Sequence, residues 1–78
     1  NPTSQRFSLD FDLDEAVNAE IVIFDMFGRR VAVLENRDFQ AGNHVISHDV
    51  SSLASGSYFV SILTDKNKAY SRRLVIVK

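Results

Sequence analysis

The sequence predicts an all-β chain, an immunoglobulin-like antiparallel β-sandwich of six or seven strands. Three observations carry this expectation. Apolar and polar residues alternate over several short stretches, the period of a strand with one face buried. Turn-forming clusters interrupt those stretches every 8 to 12 residues or so, the rough spacing typical of sandwiches. No apolar i, i+3, i+4, i+7 pattern persists, so no helix of consequence is expected. At 78 residues the chain is short for two domains, and residues 1–78 are expected to form one domain around one core.

Phe7, Leu9, Phe11 and Leu13 alternate with Ser8, Asp10, Asp12 and Asp14, giving a first half-buried strand. Pro2 precedes it, where a missing amide donor does no harm. After Glu15 to Asn18, the run Ala19 to Asp25 is rich in Ile, Val and Phe and reads as a second strand. Asp25-Met26-Phe27-Gly28 supplies a turn and Arg29 to Leu34 resumes the alternation, completing a hairpin. Asn36 to Asn43 reads as a loop with a short edge strand around Phe39; His44 to Asp49 follows as a strand, with Val45 and Ile46 on opposite faces. Ser51, Ser52, Ser55 and Gly56 form the next turn. Tyr58 to Leu63 and Tyr70 to Val77 are the last strands, and the polar Asp65-Lys66-Asn67-Lys68 between them is short enough to force antiparallel pairing. The alternation predicts a core of Phe7, Leu9, Phe11, Ile21, Ile23, Val31, Val33, Tyr58, Val60, Ile62, Leu74 and Ile76.

Composition narrows the function. Nine basic and ten acidic side chains leave a formal charge of −1, too balanced to draw the chain to phosphate backbones, so nucleic acid is not an expected partner. With no cysteine there is no disulfide, thiol chemistry or cysteine zinc site. No apolar run approaches the roughly 20 residues of a membrane helix, and Asn1 to Arg6 lacks the features of a signal peptide, so any export signal is expected upstream.

Four features of the sequence bear on chemistry. Asp10, Asp12 and Asp14 imitate the start of a calcium loop, but its sixth and twelfth positions need glycine and glutamate, where this chain has Glu15 and Ile21. A solvated strand face that discourages edge pairing is the simpler reading. His44 and His48 share a strand face, yet four residues separate their backbones by about 13 Å, too far to share one zinc; they are expected at the surface or a strand edge. Neither a Gly-x-Ser-x-Gly elbow nor a phosphate-binding glycine loop is present, and no catalytic residue, metal or cofactor is expected. Arg29-Arg30 and Arg72-Arg73 offer guanidinium groups, one of each pair on each strand face, that suit a contact surface for anions, with ordinary solvated charge the simpler reading.

Particular residues carry more. In order along the chain stand Asn1-Pro2 and the Phe7 strand, then Ile21-Val22-Ile23-Phe24-Asp25-Met26-Phe27-Gly28-Arg29-Arg30-Val31, then Ala41-Gly42-Asn43-His44. Leu53-Ala54-Ser55-Gly56-Ser57-Tyr58-Phe59 and Arg72-Arg73-Leu74-Val75-Ile76-Val77-Lys78 follow. In this order and spacing they resemble the C-terminal sorting domain (type A) of cargo proteins of the type IX secretion system, over essentially the whole chain. Two features depart from the family: His48 precedes Asp49 where members often carry an aromatic, and the acidic row on the first strand is not a family feature. The hairpin motif also makes sense physically, because Asp25 accepts turn amides, Gly28 takes positive φ and Arg29 restarts the strand. Tyr58 is expected to lay its ring on the core with its hydroxyl near solvent.

The resemblance implies a non-catalytic domain that the outer-membrane secretion machinery recognises in the periplasm. The domain then directs an upstream parent cargo to the cell surface or the extracellular space, and a surface sortase commonly removes it. The recognition residues it implies are Gly56, Tyr58, Arg73, Leu74, Val75, Ile76, Val77 and Lys78, with Asp25, Gly28 and Arg29 as the turn motif. The chain is expected to be monomeric or weakly associating. Two other readings stay open: an immunoglobulin-like or fibronectin-like spacer, and a carbohydrate-binding accessory module with Phe27, Phe39, Tyr58 and Tyr70 as stacking aromatics.

Overall fold

Six strands, and no helix among the described residues 5–78, make up the computed structural model. Pro2 and the Asn1-Pro2 element lie outside those residues. The strands are β1 (Arg6–Leu13), β2 (Val17–Asp25), β3 (Arg30–Phe39), β4 (Gly42–Asp49), β5 (Gly56–Thr64) and β6 (Ala69–Ile76). All pairings are antiparallel, in two sheets: β1-β4, and β3-β2-β5-β6. This is the expected all-β immunoglobulin-like sandwich, with six strands.

Strand order follows from side-chain character. β2 and β5 hold the centre of the larger sheet, and their apolar runs are what a strand with neighbours on both sides requires: Ile21, Val22 and Ile23 are all fully buried. Between the sheets, Leu9 and Ile46 of the smaller one meet Ile21, Ile23, Val60 and Ile62 of the larger. Phe7, Phe11 and Leu74, expected in the core, pack against it while keeping part of their surface exposed.

The core expectation fails in β3. Val31 and Val33 face out, Val33 with 52% of its surface exposed, and Ala32 and Leu34 pack on the core instead. The cause is two register shifts: Glu35 pairs with Ile21 but Val33 with Val22, and Ala32 pairs with Ile23 but Arg30 with Phe24. Each shift inserts an extra β3 residue, and each extra residue reverses which side chains point inward. Leu34→Ala is therefore expected to cost about 2 kcal/mol and Val33→Thr less than about 0.5 kcal/mol in chemical denaturation. Equal losses would show the bulges misplaced.

β3 is also longer than expected. Asn36, Arg37 and Asp38, read from sequence as loop, continue the strand, and Phe39 ends it in the core with 2% exposure rather than on a separate edge strand. Charged residues suit an edge strand, because they discourage pairing with another chain.

Candidate functional site

The turn motif is built around one carboxylate. Asp25 Oδ1 accepts the amides of Phe27 (2.8 Å) and Arg29 (3.0 Å), and Oδ2 accepts Arg29 Nε (2.8 Å). The Gly28 amide donates to the Asp25 carbonyl at 3.1 Å, with Gly28 at φ 81°, a conformation costly for any residue with a Cβ. Arg29 belongs to the turn, and the strand restarts at Arg30. Asp25, Gly28 and Arg29 thus form one tight unit that presents Phe27, 84% exposed, with the Arg29 guanidinium 5.3 Å from its ring centroid.

The predicted recognition residues lie together but on two sides of a sheet. Register sets Gly56 beside Ile76, Ser57 beside Val75, Tyr58 beside Leu74 and Phe59 beside Arg73. Tyr58 and Ile76 point into the core and Leu74 is half-buried. Arg73 and Val75 point outward and are exposed, as is Val77 beyond the strand. The Tyr58 hydroxyl does not stand free: it donates to the Ala54 carbonyl at 2.6 Å, tying β5 to the preceding turn. That same turn holds the end of the chain. The Lys78 amide donates to Ser55 Oγ at 3.1 Å and its Nζ to the Ser51 carbonyl, while Gln5 Nε2 donates to the Val77 carbonyl at 2.7 Å.

Two residues beside this strand were not singled out from sequence. Phe59 lies next to Arg73 on the outer face and pairs on its other side with Phe24, over which the Arg30 guanidinium sits at 5.9 Å. Arg30 is held by both Glu20 oxygens, at 2.8 and 3.1 Å. The signal was present in the unbroken apolar run Ile21 to Phe24, since a strand apolar at every position buries or presents apolar groups on both faces.

The histidines lie on an edge strand, one of the two places expected of them, but turn inward. Both stand half-buried at inner-face positions of β4. His44 stacks on Phe11 and donates from Nε2 to the Gln40 carbonyl at 2.7 Å. His48, in place of the family aromatic, donates from Nε2 to Glu35 Oε2 at 2.6 Å, joining the two sheets. β4 can pack only inward between Gly42 and Val50, so alternation brings Ile46 and both histidines to the core side.

Asp10 and Asp12 share the side-chain amide of Asn43, at 2.7 and 3.1 Å, and no cluster of three metal-binding side chains occurs among the described residues. Phe39 and Tyr58 are buried, leaving Phe27 and Tyr70 at opposite ends of the larger sheet, so these four aromatics form no stacking row.

Four carboxyls titrate below their ordinary range. Glu20 is lowered by its hydrogen bond from Arg30, Asp25 by the Arg29 and Phe27 amides together with the Arg29 guanidinium, Glu35 by Arg37 and then His48, and Asp49 by Ser51. Each contributes stability that is present above the unfolded carboxylate value, near pH 4, and lost as pH falls through the lower folded value. The melting temperature is expected to stay level from pH 7 to about 5 and to fall below about pH 4. A rise on acidification would contradict these pairings.

Residues 1–77 match the family model described as the secretion system C-terminal sorting domain. No curated protein and no solved structure matches the chain. Sorting-signal domains of this family are in general non-catalytic. The match spans the hairpin motif, the Gly56 to Tyr58 turn and β6, so the sequence order and the fold lead to one conclusion: the chain belongs to the C-terminal sorting domains, the signals through which the type IX machinery recognises cargo proteins and secretes them to the cell surface or the extracellular space.

Proposed function

We propose that residues 1–78 act as one non-catalytic domain whose recognised surface is the outward side of β6, with Arg73, Val75 and Val77 presenting the contacts. The observation that carries this reading is the position of β6: among the described residues it is an edge strand, bonded on one side only, with those side chains exposed. An edge strand offers a partner unpaired backbone groups as well as side chains. Leu74, Ile76, Gly56 and Tyr58 act one step back, keeping β6 in register against β5. Lys78 fixes the end of the strand to the 51–55 turn, and Asp25, Gly28 and Arg29 shape the far hairpin. The domain meets the outer-membrane machinery from the periplasm as a monomer, and a surface sortase removes it once the cargo is outside.

Fused behind a reporter that carries an ordinary export signal, in a cell with type IX machinery, the domain is expected to bring the reporter to the surface or the medium. Reporter recovered outside without the domain would be the mark of the sortase step. Reporter retained in the periplasm would overturn the proposal.

A further inference from the structure

The two sheets are unequal, and the difference leaves a gap. The smaller sheet has two strands against four, so β1, bonded to β4 on one side, has no partner on the other among the described residues. The strand across from it is β6, also an edge, and among the described residues no backbone hydrogen bond joins the two. Between them runs a groove of about 330 Å³. One wall is five consecutive residues of β1, Leu9 to Leu13, inward-facing and outward-facing alike, so this wall is the backbone edge of the strand. The other is Tyr70 to Arg72 of β6, and Val60 and Ile62 of β5 form the floor. A second hollow of about 310 Å³ continues the seam between Arg6 to Ser8 and Leu74 to Ile76.

The dimensions of packed sheets say what fits. Facing sheets lie about 10 Å apart, close to twice the spacing of about 4.8 Å between bonded strands. One extended chain added at the β1 edge would lie one such spacing from β1 and one sheet separation from the larger sheet, covering its apolar floor. The opposite seam, between β3 and β4, has no such room, because His48 and Glu35 join across it and Phe39 packs against His44.

The two edges are not equally open. β6 carries Arg72 at an inward position, opposite Val60, and an inward-pointing charge discourages sheet pairing along this stretch of the edge, Tyr70 to Arg72. β1 has none: Phe7, Leu9, Phe11 and Leu13 all point inward. Its outward row is Arg6, Ser8, Asp10 and Asp12, with Asp14 just beyond; Arg6 stands at the far end, turned to Ser47, and among the described residues the only side-chain donor held by Asp10 and Asp12 is the neutral amide of Asn43. A strand laid antiparallel on β1 would turn alternate side chains into the groove and the others toward those carboxylates.

We infer that the free edge of β1 is a second docking site, taking an extended segment of a partner protein in which apolar residues alternate with basic ones. This site is separate from the outward side of β6 and does not depend on β6 being read. The partner strand completes the smaller sheet, with apolar side chains over Val60 and Ile62 and basic side chains beside Asp10 and Asp12.

The test uses two acetylated octapeptides on the isotope-labelled chain, followed by nuclear magnetic resonance. In both, valine alternates with charged residues, lysine in one and glutamate in the other. The lysine peptide is expected to shift and protect amides of Leu9 to Leu13, with smaller shifts at Tyr70 to Arg72, and to bind about tenfold more tightly than the glutamate peptide. Asp10→Asn with Asp12→Asn is expected to remove that preference while leaving the free protein's spectrum and melting temperature in place. Equal affinity for the two peptides, shifts centred on β3 or β4, or no shift at millimolar peptide would each overturn the inference.

Discussion

Phe39→Ala is expected to cost about 3–5 kcal/mol, a large share of the stability available to a domain of this size. The ring joins three strands from both sheets. It lies at the end of β3, paired with Val17 of β2, yet it meets Phe11 of β1 edge-on at 5.7 Å and His44 of β4 at 5.1 Å. The Arg37 guanidinium covers it at 3.9 Å, closing the rim against water. Truncation leaves a cavity between the sheets that neither can collapse to fill, because both are held flat by their own ladders. Urea unfolding gives the measurement. A loss under about 1 kcal/mol would mean that the sheets stay together without this ring.

The other large effect is on secretion, and it separates contact from stability. Arg73→Ala and Val75→Ser change exposed side chains on the outer face, and each is expected to move stability by less than about 0.5 kcal/mol. Combined, they are expected to lower reporter secretion about tenfold, the effect of losing about 1.4 kcal/mol of binding. Ile76→Ala acts in the opposite way. It empties a core position and is expected to cost about 2–4 kcal/mol, with secretion falling only as far as the folded population does. Melting temperature and secreted reporter, measured together, sort the two cases. Full secretion by the Arg73 and Val75 double variant would remove that face from the recognition surface.

Much of this was legible in the residue pattern. β1, β2, β5 and β6 follow period-two alternation or unbroken apolar runs, and the turns between them carry the expected Gly, Ser, Asp and Asn. β3 was not, because a bulge leaves no mark in composition: Val31 and Val33 look like a core pair until the extra residues reverse the phase. Phe39 was hidden by the polar residues before it, which mark an edge strand as readily as a loop. His44 and His48 read as residues of the surface or a strand edge, and only the inward position of Ile46 between them fixes their side of the sheet. At β6 the alternation did separate outward Arg73 and Val75 from inward Leu74 and Ile76. The contribution of Phe24 and Phe59 to the same outer face depended on strand order, which no local pattern encodes.

The hydrogen bond from Gln5 to Val77 has a mechanical consequence. It fastens the two ends of the described chain side by side, so tension applied between residues 5 and 78 meets that bond together with those of Lys78 to Ser55 and Ser51 and of Val50 to Gln5. Beyond them, the load falls on the terminal pairs of two antiparallel ladders, Arg6 with Asp49 and Gly56 with Ile76. Pulled from these ends, β1 and β6 peel away one pair at a time, each resisting with a net of about 1 kcal/mol, instead of shearing against a whole row of bonds at once. A fold held together by its core therefore yields to a gentle pull on its ends.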